Sequence, residues 1–295
     1  MKKEAGHIRI SFYKKIIGIF LISCLLWFVY LISTLFFVSF FDISGRSMEP
    51  TLFTGDNMII DHPVLGSRIV NPLAALKGAE AQTRERINPP KLRHNEIVVF
   101  NFPFTSSWQH IRMNLNTYYV KRCIGLPGDT VEIRNGFYVV NRQKGIAGHQ
   151  GNQHRLSLRS KESFDFSEYY TFPYDILLKW NIKEFGPLYI PGHNSYVRLT
   201  PLNFLLYKTL IEWEQKKPLY YANDKIFLGD QEIDGYCFQK NYYFMGGDHV
   251  EDSEDSRYWG LVPEEFIVGK ALLILKSIDN EGKYRWDRFL KKLPS

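Results

Sequence analysis

The run YYVKRCIGLPGDTVEIRNGFYVVN, at residues 118–141, decides the fold class. β-Branched and aromatic residues fill three short segments of this run, and Gly, Pro, Asn and Asp separate the segments. This pattern is typical of short β-strands joined by turns. Similar runs occur at 57–61, 96–102 and 241–245. We predict a mostly β fold of paired short strands, because the helix alternation of a parallel α/β sheet is missing.

One helix is predicted in this strand-rich chain, near 201–217. Thr200 is a favourable N-cap residue, and Pro201 suits the first helical position. Apolar residues then recur at helical spacing. A polar stretch at 142–194 divides the strand-rich parts, and we interpret 142–236, which includes the helix, as a smaller cap domain. A second segment of mixed charge, at 64–94, is predicted to be an exposed excursion between strands.

An uncharged run of 26 residues lies near the N-terminus, at 16–41. As a helix it would be about 39 Å long, against about 30 Å for the hydrocarbon core of a bilayer. A buried core helix and a cleavable secretory signal are the alternatives. Core helices of this length have a polar face, and the apolar part of a secretory signal covers only about 7–15 residues. We therefore predict a permanent transmembrane anchor.

The charges before this run indicate its orientation. Five basic residues and one acid precede it, namely Lys2, Lys3, Arg9, Lys14, Lys15 and Glu4. Because positive charge stays on the cytoplasmic side, we expect 1–15 in the cytoplasm and the chain from Asp42 onward outside. The net charge of +6 suits anionic lipid headgroups. The basic residues form no nucleic-acid module, so we expect membrane lipids and no nucleic acid as partners.

A candidate nucleophile, Ser47, lies in SGRSMEPTL, at 44–52, where the chain leaves the anchor. A serine hydroxyl needs a base, usually His or Lys. Most histidines of the exported part lie in polar loops, where a surface role is the simpler interpretation, and their spacing does not resemble a zinc site. They are His62, His94, His110, His149, His154, His193 and His249.

Lys121 is a stronger candidate for the base, because it lies inside the apolar strand of the opening run. Strand alternation sends Lys121 and Arg122 to opposite faces, so one of these cations must point toward a covered face. Burial lowers the pKa of a lysine from about 10.4 by as much as 3–5 units, which makes it a usable base. A lysine that extends to water from a sheet edge is the alternative.

Hydroxyls, carboxylates and a guanidinium crowd together in GGDHVEDSEDSRYWGLVPEE, at 246–265. These residues are Asp252, Ser253, Asp255, Ser256 and Arg257. A calcium loop is the competing interpretation, but the acids do not follow the ligand spacing of such a loop. An ion-paired turn explains the segment without a metal.

The three cysteines are too few for a disulfide framework. Cys24 lies inside the apolar run, so only Cys123 and Cys237 are available to pair in an oxidising exterior. Two isolated core thiols are the alternative, and the sequence leaves both open.

Three of these segments, SGRSMEPTL, YYVKRCIGLPGD and GGDHVEDSEDSRYWGLVPEE, resemble the signature boxes of bacterial type I signal peptidases, in this order behind an N-terminal anchor. With the weaker NEIVVFNFP, at 95–103, the resemblance covers much of the strand-rich part. It implies a membrane-bound serine endopeptidase with a Ser/Lys dyad and no metal or cofactor. It also implies antiparallel β-sheets in a catalytic domain, at 42–141 and 237–295, with a cap domain inserted at 142–236.

The family's functional residues have counterparts in this chain. The resemblance implies that Ser47 is the nucleophile and that Lys121 is the general base, which later protonates the leaving amine. Ser253 falls where the family has a hydroxyl that orients the lysine. A hydroxyl holds a neutral amine without adding a charge that would raise the pKa of the lysine. Asp255 and Arg257 match the pair that braces this turn.

Two positions depart from the family's pattern. Gly45 stands where some members carry a serine as a second oxyanion donor, so that donor cannot be this side chain. His249 stands where the family usually has asparagine. We expect the N–H of Ser47 to supply one oxyanion donor and Met48 to line the substrate groove.

The resemblance implies signal peptides of exported preproteins as substrates, cleaved at the outer face of the bacterial cytoplasmic membrane. They would bind as an extended strand, with small side chains at the first and third residues before the cut. An inactive, membrane-tethered binder of signal peptides is one alternative, and the intact Ser47, Lys121 and Ser253 argue against it. A self-cleaving regulator with the same chemistry is another, and the anchor and the lack of a DNA-binding module argue against that.

Overall fold

The computed structural model describes residues 15–30, 38–61, 91–105, 107–141 and 143–294. The chain is helical at 15–30, which we call α1. The excursion predicted at 64–94 lies almost entirely outside the described residues.

Short strands dominate the rest of the chain, as the sequence predicts. The strands are β1 (Val38–Asp42), β2 (Asp56–Asp61), β3 (Ile97–Asn101), β4 (Tyr118–Gly125), β5 (Thr130–Arg134), β6 (Phe137–Val140), β7 (Phe185–Tyr189), β8 (Tyr196–Arg198), β9 (Leu219–Ala222), β10 (Lys225–Leu228), β11 (Gln231–Ile233), β12 (Gly235–Cys237), β13 (Tyr242–Gly246), β14 (Val262–Pro263), β15 (Ile267–Ser277) and β16 (Lys291–Lys292). The further helices are α2 (Gln150–Leu158), α3 (Phe166–Tyr169), α4 (Pro201–Gln215) and α5 (Ser256–Trp259). Short 3₁₀ turns occupy Lys161–Ser163, Glu264–Phe266 and Trp286–Arg288.

The largest sheet has the strand order β1-β2-β15-β3-β4-β13-β14, and β16 also pairs with β15. Its pairings are antiparallel. The runs at 57–61, 96–102 and 241–245 form β2, β3 and β13, and the opening run forms β4, β5 and β6. The predicted strands and the mostly β, antiparallel fold class are confirmed.

This sheet curls strongly. Phe41 on β1 and Tyr118 on β4 have ring centroids 5.1 Å apart. Three strands lie between β1 and β4 in the sheet order, which would separate them by about 19 Å in a flat sheet. Curling therefore brings the loop after β1 to the first half of β4, and the candidate site lies where they meet.

Smaller sheets, with the orders β6-β5-β7, β11-β10-β9 and β12-β8, build the region around the predicted cap. The first of them crosses the predicted domain boundary, because β5 precedes the cap and its partner β7 lies inside it. Ile124 and Phe244 of the largest sheet share one apolar cluster with Leu206 and Tyr207 of α4. The division at 142–236 stays a prediction, and the cap shares a core with the large sheet.

The helix predicted near 201–217 is α4. The hydroxyl of Thr200 accepts a hydrogen bond from the N–H of Asn203 at 3.2 Å, and Pro201 opens the helix. The helix ends at Gln215, and Lys216 adopts a left-handed conformation with φ of 54°. The N-cap and the proline therefore act as the sequence predicts.

The predicted anchor lies only partly within the described residues. The large apolar side chains of α1 are exposed, from Ile16 at 46% to Tyr30 at 59%. Among the described residues, no helix has both the length and the apolar character needed to cross a membrane. Val38–Asp42 forms β1 and pairs with β2. The predicted helical anchor up to Phe41 is therefore wrong for its last four residues, 38–41, because a strand partner takes up their backbone hydrogen bonds.

Candidate active site

Ser47 lies in the turn between β1 and β2, at 46–52. Within this turn, the N–H of Leu52 donates to the carbonyl O of Met48 at 2.9 Å. A residue outside this turn also contributes, because the N–H of His249 donates to the carbonyl O of Ser47 at 3.0 Å. The main chain of the candidate nucleophile is therefore held by the segment that carries the last family box.

Lys121 extends from β4 to Ser47. Its Nζ lies 2.5 Å from Oγ of Ser47, and the residue is only 4% exposed. Strand alternation sends the neighbouring Arg122 to the opposite face, where it is also buried. The two residues that the sequence assigns to a dyad are therefore in direct contact.

The pKa of Lys121 is lowered from 10.5 to about 8. Burial is the largest cause, because a lysine without its hydration favours the neutral amine. The carboxylate of Asp255 opposes this by raising the pKa, and the guanidinium of Arg257 lowers it further. With a pKa of about 8, about a tenth of this lysine is neutral at pH 7. A base is therefore available near neutral pH.

Asp255 and Arg257 form a buried ion pair beside the dyad. Nε and Nη2 of Arg257 donate to Oδ1 and Oδ2 of Asp255, each at 2.8 Å. Burial raises the pKa of the Asp255 carboxyl, but the charge and hydrogen bonds of Arg257 and the charge of Lys121 hold that pKa below its ordinary value. Burial is the largest single influence on the pKa of Arg257 and lowers it, but the charge and hydrogen bonds of Asp255 and the nearby Tyr138 together hold that pKa above its ordinary value. The pair therefore stays ionised.

Ser253 contacts this ion pair, and Gly247 lies close to both Ser253 and the carbonyl O of Ser47. Its Oγ donates to Oδ2 of Asp255 at 2.9 Å, and the N–H of Gly247 donates to the same oxygen at 2.9 Å. A Cβ on Gly247 would collide with Oγ of Ser253 and lie 2.6 Å from the carbonyl O of Ser47, so glycine permits this close approach. The hydroxyl of Ser253 donates to Asp255, and its role in orienting Lys121 stays a prediction.

A cavity of about 280 Å³ opens at the dyad. Its lining residues are Asp42, Ile43, Ser44, Gly45, Ser47, Met48, Tyr118, Tyr119, Val120, Lys121 and Glu254. Met48 is only 2% exposed and packs mainly in an apolar cluster with Leu52 and Met58, so its contact with a substrate stays a prediction. Gly45 borders the cavity, and a Cβ there would meet open space.

The first half of β4 has an unpaired edge next to this cavity. β3 pairs with β4 along residues 118–122. On the other side, β13 pairs only with Arg122 to Gly125. The strands of the described part therefore leave the second edge of 118–121 without a partner. Backbone donors and acceptors are available there for an extended peptide.

A second buried ion pair, which the sequence did not assign, lies on the other face of β4. Nε and Nη2 of Arg122 donate to Oδ1 and Oδ2 of Asp248 at 2.6 and 2.5 Å. The hydroxyl of Thr51, in the Ser47 turn, also donates to Asp248, at 2.5 Å. The signal for this pair was present in the sequence, since Arg122 follows Lys121 in an apolar strand. Both faces of β4 are covered, so both cations need buried partners.

The described residues offer neither a metal site nor a disulfide. Within them, no group of three or more His, Cys, Asp or Glu side chains is arranged to hold a metal ion. Cys123 is buried in β4, Cys237 is exposed on β12, and both are free thiols. The two cysteines are therefore unpaired, and the alternative of two core thiols holds for Cys123 but not for Cys237, which is exposed.

Comparisons with known proteins give the family. The family model described as signal peptidase, peptidase S26, matches residues 13–276. Signal peptidase I of Buchnera aphidicola subsp. Schizaphis graminum is 30% identical over 264 residues, which cover 86% of this chain and 73% of that protein. Signal peptidase I of Buchnera aphidicola subsp. Baizongia pistaciae is 29% identical over 251 residues, which cover 83% of this chain and 72% of that protein.

A crystal structure of signal peptidase I from Enterococcus faecalis V583 is 19% identical and covers 62% of this chain and 98% of that one. Its TM-score of 0.29 is too low to support an argument about this fold. The family match spans nearly the whole chain, which therefore belongs to the signal peptidase family of peptidase S26 and is a serine peptidase.

Proposed function

We propose that this chain removes signal peptides from exported preproteins, with Ser47 as nucleophile and Lys121 as general base. The observation that carries the proposal is the 2.5 Å contact between Nζ of a buried lysine and Oγ of Ser47. The pKa of about 8 for Lys121 adds to it, because a neutral amine can accept the hydroxyl proton. The names of the relatives supply the substrate class.

The reaction begins with proton transfer from Oγ of Ser47 to Nζ of Lys121. Oγ forms a bond to the carbonyl carbon of the scissile peptide, and a tetrahedral intermediate results. The ammonium of Lys121 then donates its proton to the leaving nitrogen, so that the C–N bond breaks and an acyl-enzyme remains. Lys121, neutral again, takes a proton from water as the water oxygen bonds to the acyl carbon, and a second tetrahedral intermediate forms. The ammonium of Lys121 then returns this proton to Oγ of Ser47 as the C–O bond breaks, which releases the acyl product and regenerates Ser47 and the neutral lysine.

The negative oxygen of the tetrahedral intermediate needs hydrogen-bond donors. The N–H of Ser47 is the proposed donor, and a donor of this kind contributes about 3 kcal/mol in other acyl-transfer enzymes. The position two residues earlier holds Gly45, so its side chain supplies no second donor. Asp255 and Arg257 form a buried ion pair beside the dyad. We assign this pair the structural role of holding the turn that contains Ser253.

The substrate is proposed to bind as an extended strand along the free edge of β4, at 118–121. The missing partner on that edge supports this mode, because main-chain groups of a peptide can add to it. Alternate side chains of a strand point to the same side. The first and third residues before the cut would therefore face the same wall of the cavity, where Met48 and Ile43 lie.

Attachment to the bacterial cytoplasmic membrane through the N-terminal run is also part of this proposal. The sequence has no charge from 16 to 41, and the apolar side chains of α1 are exposed. The five basic residues before the run support a cytoplasmic N-terminus and a catalytic part on the outer side.

Cleavage of a signal-bearing preprotein by the full chain in detergent tests the proposal. We expect one cut at the signal junction, which Ser47→Ala abolishes. Ser44→Ala is the matched control, because Ser44 lines the same cavity, and it should retain cleavage. Full cleavage by Ser47→Ala would contradict the nucleophile assignment.

The same assay separates the two alternatives. An active wild-type chain argues against an inactive binder of signal peptides. A change in the intact mass of the peptidase during incubation, with no cleavage of the preprotein, would favour the self-cleaving regulator.

A further inference from the structure

Two buried carboxamides hold α2 against the rest of the molecule. The buried residues of this helix are Asn152, Gln153 and Leu156. Oε1 of Gln153 accepts from the N–H of Tyr138 at 2.7 Å, and its Nε2 donates to the carbonyl O of Ala147 at 2.6 Å. Gln153 therefore attaches the helix to β6 and to the segment that precedes the helix.

Asn152 contacts a different part of the molecule. Its Nδ2 donates to the carbonyl O of Glu49 at 2.9 Å and to the carbonyl O of Asp248 at 2.6 Å. Carbonyl groups only accept hydrogen bonds, so the NH₂ group must face them and the amide orientation is fixed. Oδ1 accepts from Nη2 of Arg155 at 2.7 Å, and Asn152 is only 4% exposed. Both ends of the amide therefore have partners.

The two carbonyl groups belong to the two loops that form the dyad's surroundings. Glu49 lies two residues after Ser47 in the same turn. Asp248 precedes His249, whose N–H donates to the carbonyl O of Ser47 at 3.0 Å. Asn152 adds one hydrogen bond to each loop from a third segment, so the inserted helix and both loops are tied together at one point.

We propose that Asn152 is a positioning residue of the peptidase reaction, which clamps the Ser47 turn to the loop after β13, at 247–249, and so keeps Oγ of Ser47 in contact with Lys121. This inference rests on the proposed Ser47 and Lys121 dyad. Direct proton transfer needs hydrogen-bond distance, and a misplacement of about 1 Å can lower the rate about a hundredfold. Most of the cavity wall comes from 42–45 and 118–120, whereas the hydrogen bonds of the Asn152 side chain go to Glu49, Asp248 and Arg155. Loss of the clamp should therefore slow turnover and spare substrate binding.

Steady-state kinetics of the full chain in detergent, with a signal-bearing peptide as substrate, tests this inference. Asn152→Ala should lower kcat by about tenfold to a hundredfold and leave KM within about twofold. Gln153→Ala is the matched control, because it removes the neighbouring buried amide from the same helix. It should lower the thermal midpoint as Asn152→Ala does, but keep kcat within about threefold.

Each outcome decides between positioning and simple helix docking. Equal losses of kcat in Asn152→Ala and Gln153→Ala would overturn the inference, and so would an unchanged kcat in Asn152→Ala. Asn152→Ser keeps one hydrogen-bond donor, and its kcat should lie between those of wild type and Asn152→Ala. This variant provides the test if Asn152→Ala does not fold. Ser47→Ala is measured beside them. Activity in Ser47→Ala refutes the dyad itself, whereas an inactive Ser47→Ala with an unaffected Asn152→Ala refutes only the clamp.

Discussion

Burial of Lys121 favours the proposed chemistry and opposes folding at the same time. The ammonium loses its hydration inside the protein, which favours the neutral amine. The fall of its pKa from 10.5 to about 8 corresponds to about 3 kcal/mol against the charged form. The residue that is suited to act as a base is therefore also a source of instability at neutral pH.

We expect the pH dependence of kcat/KM to follow the protonation of Lys121. Because the base must be neutral, the rate should rise with pH through a midpoint near 8 and level off above it. Glu254→Gln should move the midpoint to lower pH, because the charge of Glu254 raises the pKa of Lys121. Glu281→Gln removes an exposed charge that is not among the charges that shift the pKa of Lys121, and it should leave the midpoint in place. An upward shift in Glu254→Gln would contradict the assignment of the base.

Lys121→Met should stabilise the protein at neutral pH while it abolishes cleavage. Below pH 8 the lysine is charged in both the folded and the unfolded state, so the folded state carries the whole penalty of about 3 kcal/mol. As the pH rises from 8 to 10.5 the penalty disappears, because the amine becomes neutral in both states. Thermal midpoints at pH 7 and pH 10 measure the difference, which should be larger at pH 7. A variant that is less stable than wild type at pH 7 would refute this prediction.

Residue patterns predict the chemistry of this site better than they predict its supports. Ser47 and Lys121 are recognisable because one follows the apolar run and the other is a cation in an apolar strand. Asn152 carries no such signal, since its partners are main-chain carbonyls, one of them 96 residues away. Every residue has a main-chain carbonyl, so such a hydrogen bond requires a particular side chain only at position 152. The residue types at 49 and 248 therefore do not indicate that Asn152 contacts them.

The strand β4 is held by buried charge on the face opposite the dyad. Arg122→Met should lower the free energy of unfolding by about 3–5 kcal/mol, because it leaves the carboxylate of Asp248 buried without its cation. Urea titration of the variant measures this loss. Arg134→Met is the matched control, since the pair of Arg134 with Glu132 on β5 is exposed, and it should change stability by about 0–1 kcal/mol. Similar losses in both variants would contradict the importance of burial.

Elements with strong local patterns were predictable, and elements defined by distant partners were not. The strands β2 to β6 and β13 have apolar, β-branched runs between turn residues, and α4 has an N-cap and a proline at its start. The helix α2 has little apolar periodicity, because two of its three buried residues are amides. Pairing of β5 with β7 joins Val131 to Leu188, and no local pattern specifies a partner so far along the chain.

The uncharged run at 16–41 is proposed to keep the catalytic part of the molecule at the membrane. An arginine at the centre of a membrane helix costs about 2.5–3.5 kcal/mol. The double variant Leu25→Arg and Phe28→Arg should therefore move the protein from the membrane pellet to the supernatant after carbonate extraction. Cleavage of a short soluble peptide should persist. Phe166→Arg changes an exposed apolar residue outside the run and should leave the distribution unaltered. Retention of the double variant in the pellet would point to another membrane contact.

The order of the family boxes along the chain predicts which segments meet, but not how the molecule brings them together. Contact between Phe41 and Tyr118 requires the large sheet to curl, and curl results from the sum of many strand twists. The end of the predicted anchor was misplaced for a related reason. Residues 38–41 are apolar enough for a membrane helix, and only the partner strand β2 reveals their conformation.

The adjacent cations of β4 have a consequence for a chain that has not finished folding. A shift of this strand by one residue exchanges its two faces, so Arg122 would point to Ser47 in place of Lys121. A guanidinium stays protonated at any physiological pH and cannot accept the serine proton. A copy with β4 one residue out of register would therefore lack the base of the proposed dyad. Correct register of β4 is therefore a condition for the proposed proton transfer from Ser47.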